Sequence, residues 1–290
     1  HVQACNKDCV LADWSEWTEC SKACNWGHAR RHREIAEAPT GTGSCPWYWS
    51  WERVNFKWCS TWSCRSMMPN PNLLLKCQEE VDIIVLLDGS GSLGSDGWKL
   101  SQHFAEVFIN SLEGGDDLVK AALVLFSGPR TWEALKKCYD SDSSVEVDLE
   151  EDCGVTRVKE LTNDTAGVAE AVAGLEWPAA TTATSIALAQ AEQMLQHGRE
   201  DAKSKVVVIT DGWPMSQYAT RLAANRLKSK AEILWVPVGA NAPMHLIEEL
   251  ASLPKEDHIV KVNAFIDLAI PAKINDIMAS ACSKLDFSSE

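Results

Sequence analysis

The sequence predicts an α/β domain with a doubly wound, mainly parallel sheet, preceded by a small disulfide-rich module. Three observations support this prediction. Near-continuous apolar runs from Val81 onward are typical of strands that are buried on both faces. Patterns of helical period alternate with these runs, as they do in βαβ units. Seven of the eleven cysteines lie before residue 65, in a segment with no long helical pattern.

The apolar runs predict five strands, and helical patterns lie between them. The strand-like runs are "VDIIVLL", "VKAALVLFS", "KVVVIT", "EILWVPVG" and "HIVKV". The helical patterns are "GWKLSQHFAEVFINSL", "TAGVAEAVAGL", "TSIALAQAEQMLQ", "QYATRLAANRLKS", "APMHLIEELASL" and "FIDLAIPAKINDIMASA". Ligands of such sheets bind at the carboxyl ends of the strands, so polar residues that follow a strand are the first candidates for a site.

Composition and charge divide the chain at one place. Residues 1–76 hold nine basic and seven acidic side chains, whereas the remainder holds 18 basic and 34 acidic ones. Eight of the thirteen tryptophans are also in the first part. Two prolines in "SMMPNPNLLLKC" favour extended backbone between the two parts. We predict a first domain at residues 1–66, a linker at 67–78 and a second domain at 79–284.

The same features exclude several classes of protein. The acidic second domain argues against nucleic acid as a partner. No apolar run approaches the roughly 20 residues of a membrane helix, so we expect no transmembrane segment in this chain. We find no zinc-protease motif, no P-loop and no nucleophile with a plausible base, and we expect no enzyme. The cysteine content predicts a secreted or cell-surface protein of the secretory pathway.

Aromatic and basic residues share a spacing in the first domain. Arg31 and Arg33 are two apart, so they face the same side of an extended strand. Trp14 and Trp17 are three apart, which lets both rings share a face on an irregular strand. Guanidinium planes between indole rings form cation–π layers worth about 0.5–2 kcal/mol each. Such a stack can hold together a thin domain that has no conventional core.

These residues resemble the thrombospondin type 1 repeat: W-x-x-W-x-x-C at 14–20, C-x3-C at 20–24, the strand with Arg31 and Arg33, and three later cysteines. The resemblance implies three strands, Trp/Arg layers and the disulfides Cys9–Cys45, Cys20–Cys59 and Cys24–Cys64. Spacing alone leaves zinc open as an alternative for Cys5-x3-Cys9 and Cys20-x3-Cys24, although the surrounding Trp and Arg favour disulfides.

Two positions depart from the pattern of that family, Ala29 and Ala23, and Ala23 stands where the family often carries a Ser or Thr for O-fucose. Ala29 stands where a third arginine of the stack would follow, so we expect a short stack. Cys5 has no partner in this pairing scheme and stays unpaired. Its alternatives are an intermolecular bridge, a reactive thiol, or a partner outside the chain.

Glycan attachment and glycan binding are further expectations. Trp14 and Trp17 match the C-mannosylation signal of the repeat family. Asn163-Asp164-Thr165 is an N-glycosylation sequon and equally a candidate helix N-cap. A basic strip could bind sulfated glycan, unless its arginines are already committed to the stack; it comprises His28, Arg30, Arg31, His32 and Arg33.

The segment "VDIIVLLDGSGSLGSDG" supports two interpretations. Its glycines follow the G-x-G-x-x-G spacing of a dinucleotide-binding turn. However, Asp88 at the mouth of the turn would repel phosphate, and the next strand ends with no acid for a ribose. Asp88, Ser90 and Ser92 instead offer the hard oxygen ligands that a divalent cation requires.

Two further segments complete this oxygen set, namely "ATTATSIALAQA" with Thr182 and "TDG" with Asp211. The three segments in this order resemble the metal-ion-dependent adhesion site of von Willebrand factor A domains. The resemblance implies that Ser90 and Ser92 bind the metal directly, that Thr182 binds it in one conformational state, and that Asp88 and Asp211 act through water. The implied ion is Mg²⁺, with Mn²⁺ or Ca²⁺ as alternatives. The alternative is that all five residues serve only as turn and helix-cap residues.

Four cysteines remain in the second domain. The A-domain resemblance implies a bond between Cys77 and Cys282, which flank the sheet. Cys138 and Cys153 bracket "YDSDSSVEVDLEED", which holds seven acids and no base. We interpret this segment as a loop pinned by a Cys138–Cys153 disulfide. It is either a solvated acidic loop or a weaker calcium site.

Two functions follow from these resemblances. The first is extracellular adhesion, in which the metal binds an acidic group on a protein partner. A repeat combined with an A domain resembles the thrombospondin-related adhesive proteins, although there the A domain usually comes first. The alternative is a structural subunit of an extracellular filament, sheath or matrix that self-assembles through A-domain contacts.

Overall fold

The structure, a computed structural model, describes residues 6–64, 73–112, 118–139 and 146–287. The chain divides into two compact units, His1–Ser63 and Cys64–Glu290. The first unit is called the N-terminal unit and the second the α/β unit. None of the helices in these described ranges has the length and apolar character of a membrane span.

Two short antiparallel pairs form the N-terminal unit. Strand β1 (Val10–Leu11) pairs with β3 (Ile35–Glu37), and β2 (Gly27–His32) pairs with β4 (Val54–Cys59). Residues 12–21 run along the other edge of β2 as an irregular third strand. Their backbone N–H groups donate to β2 and to the turn after it through the pairs Ala12–Glu34, Ser15–His32, Thr18–Arg30 and Ser21–His28.

This third strand advances three residues for every two residues of its neighbour. The unequal step explains why tryptophans three apart face the same side as arginines two apart. The Arg31 Cζ lies 4.6 Å from the ring centroid of Trp14 and 4.7 Å from that of Trp17. The Arg33 Cζ lies 5.6 Å from the Trp14 centroid. The predicted Trp/Arg stack is therefore present.

The stack continues beyond the point where the sequence predicts its end. Lys57 on β4 lies opposite Ala29 in the β2–β4 register, and its Nζ is 4.5 Å from the Trp17 centroid. The small side chain of Ala29 leaves this position open to a cation from the neighbouring strand. The expectation of a short stack, based on Ala29, is wrong because it considered one strand alone.

Disulfides hold both ends of the N-terminal unit. The structure contains Cys9–Cys45 and Cys20–Cys59, the pairs that the repeat resemblance implies. Cys24 and Cys64 are each disulfide-bonded as well. Cys5 lies outside the described residues, so its predicted unpaired state stays a prediction.

A five-stranded sheet forms the centre of the α/β unit. Its strands are β6 (Val81–Asp88), β7 (Val119–Phe126), β8 (Val155–Thr162), β9 (Lys203–Thr210) and β10 (Glu232–Pro237). The strand order is β10-β9-β6-β7-β8, and all neighbours are parallel except β8, which pairs antiparallel with β7. The predicted doubly wound, mainly parallel sheet is confirmed.

Helices cover both faces of this sheet. They are α1 (Gly94–Asn110), α2 (Trp132–Cys138), α3 (Thr165–Ala173), α4 (Thr184–Met194), α5 (Gln217–Leu227), α6 (Met244–Leu250), α7 (Lys255–His258) and α8 (Pro271–Ala281). Ile84 and Leu86 pack in one cluster with α4, α5 and α6, whereas their fully buried neighbour Val85 faces the opposite side. Every residue of β6 is buried, which explains its continuous apolar run.

Two elements differ from the sequence expectation. The run "HIVKV" forms only isolated bridges to the β10 edge, Trp235–Ile259 and Val238–Val262, and the predicted strand is wrong. Strand β8 has no counterpart in the prediction because its exposed edge position permits the polar residues of "VTRVKELT".

The domain boundaries also need correction. Residues 73–78, predicted as linker, pack on the α/β unit, where Leu75 is fully buried and its N–H donates to Asn275 Oδ1 at 2.9 Å. Strand β5 (Lys76–Cys77) pairs with β11 (Leu285–Asp286), so the unit extends beyond 79–284 on both sides. The rest of the predicted linker, residues 67–72, lies outside the described residues.

Two further disulfides lie in the α/β unit, and both are pairs expected from the sequence. Cys77–Cys282 joins positions 205 residues apart, and Cys138–Cys153 closes the acidic loop. Within that loop, residues 140–145 lie outside the described residues. Asp152 pairs with Lys137, and Asp148 Oδ1 accepts the N–H groups of Glu150 and Glu151 at 2.9 Å each. These described acids hold the loop together.

Candidate functional site

The site lies at the carboxyl edge of the sheet, where β6 and β9 end side by side. Asp88 is the last residue of β6, and Asp211 directly follows Thr210 at the end of β9. The short 3-10 turn Gly91–Leu93 and the helix α1 follow β6. Parallel neighbours end at the same edge, so the topology alone brings the two carboxylates together.

Asp88 is buried and held from two sides. Its Oδ1 accepts the Ser90 N–H at 2.8 Å, and its Oδ2 accepts the Thr210 hydroxyl at 2.6 Å. Burial raises the pKa of Asp88 to about 6, although hydrogen bonds from Thr210 and Ser90 oppose the shift. Both oxygens are therefore occupied by fixed donors, and the carboxylate orients the loop that carries the serines.

The two serines connect this loop to Asp211. Ser90 Oγ and Ser92 Oγ are 3.1 Å apart, and the Ser92 hydroxyl donates to Asp211 Oδ1 at 2.7 Å. Since Ser92 has one hydroxyl proton, Ser90 is the donor between the two serines. Burial raises the pKa of Asp211, opposed by the hydrogen bond from Ser92. Three oxygens thus form one continuous chain.

Thr182 reaches the same cluster from a different segment. A Cβ added at Gly212 would lie 3.2 Å from Ser92 Oγ and 3.9 Å from Thr182 Oγ1, so both hydroxyls face one point beside Gly212. The Thr182 carbonyl accepts the Met215 N–H at 2.9 Å, which ties this segment to the loop after β9. Thr184 instead lines an internal cavity with Thr210.

The five predicted ligands therefore converge, and their chemistry fits a hard cation. All five side chains offer oxygen: Asp88, Ser90, Ser92, Thr182 and Asp211. Adjacent ligands of an octahedral Mg²⁺ ion with bonds of about 2.0–2.1 Å lie about 3 Å apart. The oxygen–oxygen distances of 3.1 and 2.7 Å are close to this spacing. In the described part of the chain, no group of three or more His, Cys, Asp or Glu offers another metal site.

A comparison with known protein families decides the identity of this unit. The family model for the von Willebrand factor type A domain matches residues 82–273. The chain belongs to this family. The matched range contains all five oxygen-bearing side chains of the cluster, the strands β7 to β10 and all of β6 except Val81.

Relatives of the chain share parts of it. Von Willebrand factor A domain-containing protein 2 of Xenopus laevis is 26% identical over 189 residues, which cover 64% of this chain and 21% of the relative. Spondin-1 of Mus musculus is 43% identical over 61 residues, covering 21% of this chain and 7% of the relative. The chain thus matches about a fifth or less of the length of these relatives.

A solved structure shares the fold. Proximal thread matrix protein 1 from the mussel byssus was solved with zinc in its metal-ion-dependent adhesion site (MIDAS) motif. It superimposes with a TM-score of 0.54 at 17% identity. The superposition covers 71% of this chain and 49% of that chain.

The glycines of the A-domain turn serve packing. A Cβ at Gly89 would lie 2.8 Å from Pro178 Cδ, so the residues before Thr182 approach the turn too closely for a side chain. Gly91 N–H donates to Ala180 O at 2.8 Å, and Trp177 Nε1 donates to Ser90 O at 3.2 Å. This packing agrees with the interpretation that the G-x-G-x-x-G spacing is coincidental.

The sequence motifs assign no role to two supporting residues of the A domain. Thr210 fixes Asp88 from the neighbouring strand, and Ser127 accepts the Ala180 N–H at 3.0 Å through its hydroxyl. Both directly end or follow a buried strand, which is the signal that could have identified them. Ser127 is fully buried and also donates to Thr181 O at 3.2 Å, so it positions the segment that carries Thr182.

The predicted basic strip makes contacts within the N-terminal unit. Arg31 and Arg33 belong to the stack, and the His28 ring lies 3.9 Å from the Trp58 ring. The Arg30 Cζ lies 5.6 Å from the Trp49 centroid, and His32 lies 3.2 Å from Glu34. These contacts support the alternative in which the strip stabilises the unit.

The predicted glycosylation positions differ in exposure. Trp14 and Trp17 are half-buried in the stack, whereas Asn163 is exposed in the turn before α3. Asp164, and not Asn163, caps that helix by accepting the Gly167 N–H at 2.9 Å. The sequon therefore combines an exposed asparagine with a structural aspartate.

Proposed function

We propose that this chain is an extracellular adhesion module, not an enzyme, whose A domain binds an acidic group of a protein partner through Mg²⁺. The observation that carries this proposal is the convergence of five oxygen-bearing side chains at one edge of the sheet. A bound Mg²⁺ supplies a positive centre with coordination positions that water or an incoming carboxylate can occupy.

The residues of the cluster have separate roles in this proposal. Ser90 and Ser92 offer neutral hydroxyl oxygens, which leave more of the positive charge for a partner than carboxylates would. Asp88 and Asp211 hold these serines in place and balance the ion from behind, in part through water. Thr182 lies on a separate segment, which Ser127 holds in position, and it provides the fifth oxygen. Mn²⁺ or Ca²⁺ could take the place of Mg²⁺.

The N-terminal unit supports an extracellular setting. We propose that it is a thrombospondin type 1 repeat with a Cys24–Cys64 bond, since its cation–indole stack and its two observed disulfides follow that pattern. The similarity to Spondin-1 agrees with this assignment. Secretion, glycosylation at Trp14, Trp17 or Asn163, and weak binding of sulfated glycan are part of the same proposal.

Thermal unfolding with and without metal tests the central proposal. Mg²⁺ at about 100 times its dissociation constant adds about 2.7 kcal/mol to the native state. At about 2–4 °C per kcal/mol for a domain of this size, the melting temperature should rise by about 5–10 °C over the value in chelator. Asp211→Ala should abolish this shift while the fold remains intact by circular dichroism.

The exposed Asp201 provides a matched control at the opposite end of β9. Asp201→Ala should keep the full metal shift. Absence of a shift in the wild type, or an equal shift in Asp211→Ala, would refute the metal site.

The alternative is a structural subunit of an extracellular filament or matrix. A byssus thread protein has the same fold, so this fold is compatible with such a role. Analytical ultracentrifugation separates the two functions. Self-association that persists in chelator favours the filament, whereas a monomer that captures a foreign ligand only with metal favours adhesion.

A further inference from the structure

A pocket lies beside the oxygen cluster, between the loop after β9 and the loop after β10. Trp213 forms one side, and residues 240–245 form the other. The pocket has a volume of about 480 Å³. This volume lies within the range of about 300–1,000 Å³ that is usual for binding pockets, and it can accommodate one or two amino-acid side chains.

Trp213 is held at the rim of the pocket by the cluster itself. On one side, Asp211 accepts the Ser92 hydroxyl at 2.7 Å. On the other side, the Met215 N–H donates to Thr182 O at 2.9 Å. The loop is therefore anchored on both sides of Trp213, yet Trp213 remains 55% exposed. A rigidly placed, exposed tryptophan at the edge of a site has the properties of an interface anchor.

The lining of the pocket carries no carboxylate, although this part of the chain is strongly acidic. Its residues are Trp213, Ala240, Asn241, Ala242, Pro243, Met244 and His245. Glu249, one turn after His245, is paired with Arg221 at 2.7 Å and lies 3.5 Å from His245. None of the residues that line the pocket therefore places a carboxylate against an incoming acidic segment.

We propose that the partner segment carries a large apolar side chain within two positions of its acidic residue, and that this side chain occupies the Trp213 pocket. This inference depends on the metal-dependent function proposed above. Trp213 is two residues from Asp211, so their Cα atoms are at most about 7 Å apart. An extended partner segment advances about 3.3 Å per residue and reaches both features with neighbouring side chains.

Selection from a displayed random peptide library tests this inference on the full chain. The immobilised protein is loaded with millimolar Mg²⁺, and bound peptides are eluted with EDTA. The eluted peptides should contain Asp or Glu, with Leu, Ile, Met, Phe, Tyr or Trp within two positions of it. For Trp213→Ala, the acidic preference should remain and the apolar preference should disappear.

Trp132→Ala serves as a matched control because Trp132 is 67% exposed but lies on α2, after β7. This variant should keep both preferences. The best peptide from the wild-type selection should bind Trp213→Ala about tenfold more weakly and Trp132→Ala with unchanged affinity. A retained metal shift in the melting temperature shows that Trp213→Ala is folded and has its cation site.

The outcomes separate this inference from the function on which it depends. An apolar preference that persists in Trp213→Ala, or that is also lost in Trp132→Ala, overturns the pocket assignment and leaves the metal proposal standing. An EDTA-eluted pool from the wild type with no acidic preference overturns the proposed function itself.

Discussion

The two units of this chain are stabilised by different interactions. In the α/β unit, β6 is buried along its whole length between helices on both faces of the sheet. Among residues 6–63 of the N-terminal unit, the buried apolar residues are Cys24, Ala29 and Val54. There, cations between indole rings and disulfides take the place of an apolar core. The comparison shows that a short segment can exchange burial for stacking and covalent links.

Reduction of the disulfides should produce the largest difference in stability between the two units. Cys9–Cys45 and Cys20–Cys59 close loops of 36 and 39 residues, each worth about 4 kcal/mol in the chain-entropy model. The N-terminal unit has little buried apolar area to compensate for their loss. Hydrogen exchange after reduction should show full loss of protection in β2 and β4, and retained protection in β6 and β9. Equal loss in both units would contradict this division.

Truncation of the apolar core should affect only the α/β unit. Leu86 is fully buried in the centre of the sheet, and Leu86→Ala should cost about 2–5 kcal/mol. Calorimetry should show a lower melting temperature for the α/β unit, with unchanged hydrogen exchange in β2 and β4.

Leu222→Ala on the surface of α5 is the control for this prediction. Leu222 is 44% exposed, so its truncation should change stability by less than about 0.5 kcal/mol. Faster exchange in β2 and β4 of Leu86→Ala would show that the units unfold together.

Low pH should destabilise the α/β unit at the contact between its first and last segments, where Glu79 bonds to Ser283. Burial alone would raise the pKa of Glu79, but hydrogen bonds from Lys203 and Ser283 outweigh it and lower the pKa. A lowered pKa gives stabilisation that is complete above the unfolded value of about 4.3 and is lost as the pH falls through the folded value. Glu79→Gln should therefore lower stability by about 1 kcal/mol at pH 7, and by less at pH 3.

Chemical denaturation at both pH values measures this difference. The neighbouring Glu80 is exposed, so Glu80→Gln should match the wild type at pH 7. A destabilisation by Glu79→Gln that is equally large at pH 3 would mean that lost packing, and not the charge, is responsible.

The smallest expected effect concerns the end of the stack. Lys57 is exposed and its Nζ lies 4.5 Å from the Trp17 centroid, so Lys57→Met should cost the N-terminal unit about 0.5–1 kcal/mol. Hydrogen exchange of β2 and β4 measures this change. Lys57→Arg should preserve the stability, because it retains a cation. Equal destabilisation by both variants would assign the effect to the alkyl stem.

Much of the α/β fold was predictable because burial on both faces leaves a strong sequence signal. The runs that became β6 and β9 contain little except apolar residues, and the polar positions after them converge at one edge. Strand β8 gave no such signal because its outer face is exposed and carries residues such as Arg157 and Lys159. Its antiparallel pairing also lies outside the βαβ pattern.

Features that depend on register between distant segments were not predictable. Lys57 joins the stack only because the β2–β4 register places it opposite Ala29. The exposure of Trp213 depends on how the loops after β9 and β10 approach each other. Motif spacing identified the five oxygen-bearing side chains that converge at this edge, but it could not reveal the wall of the pocket beside them.

The Cys77–Cys282 disulfide at the base of the α/β unit has a mechanical consequence. Tension along the chain enters at Cys77 and leaves at Cys282, which are covalently joined. The 205 positions between them, about 700 Å of extended chain, are thereby removed from the path of the force. Asp88 is at the far end of β6 from this bond, so a load carried by the backbone passes the base of the sheet without pulling its oxygen cluster apart.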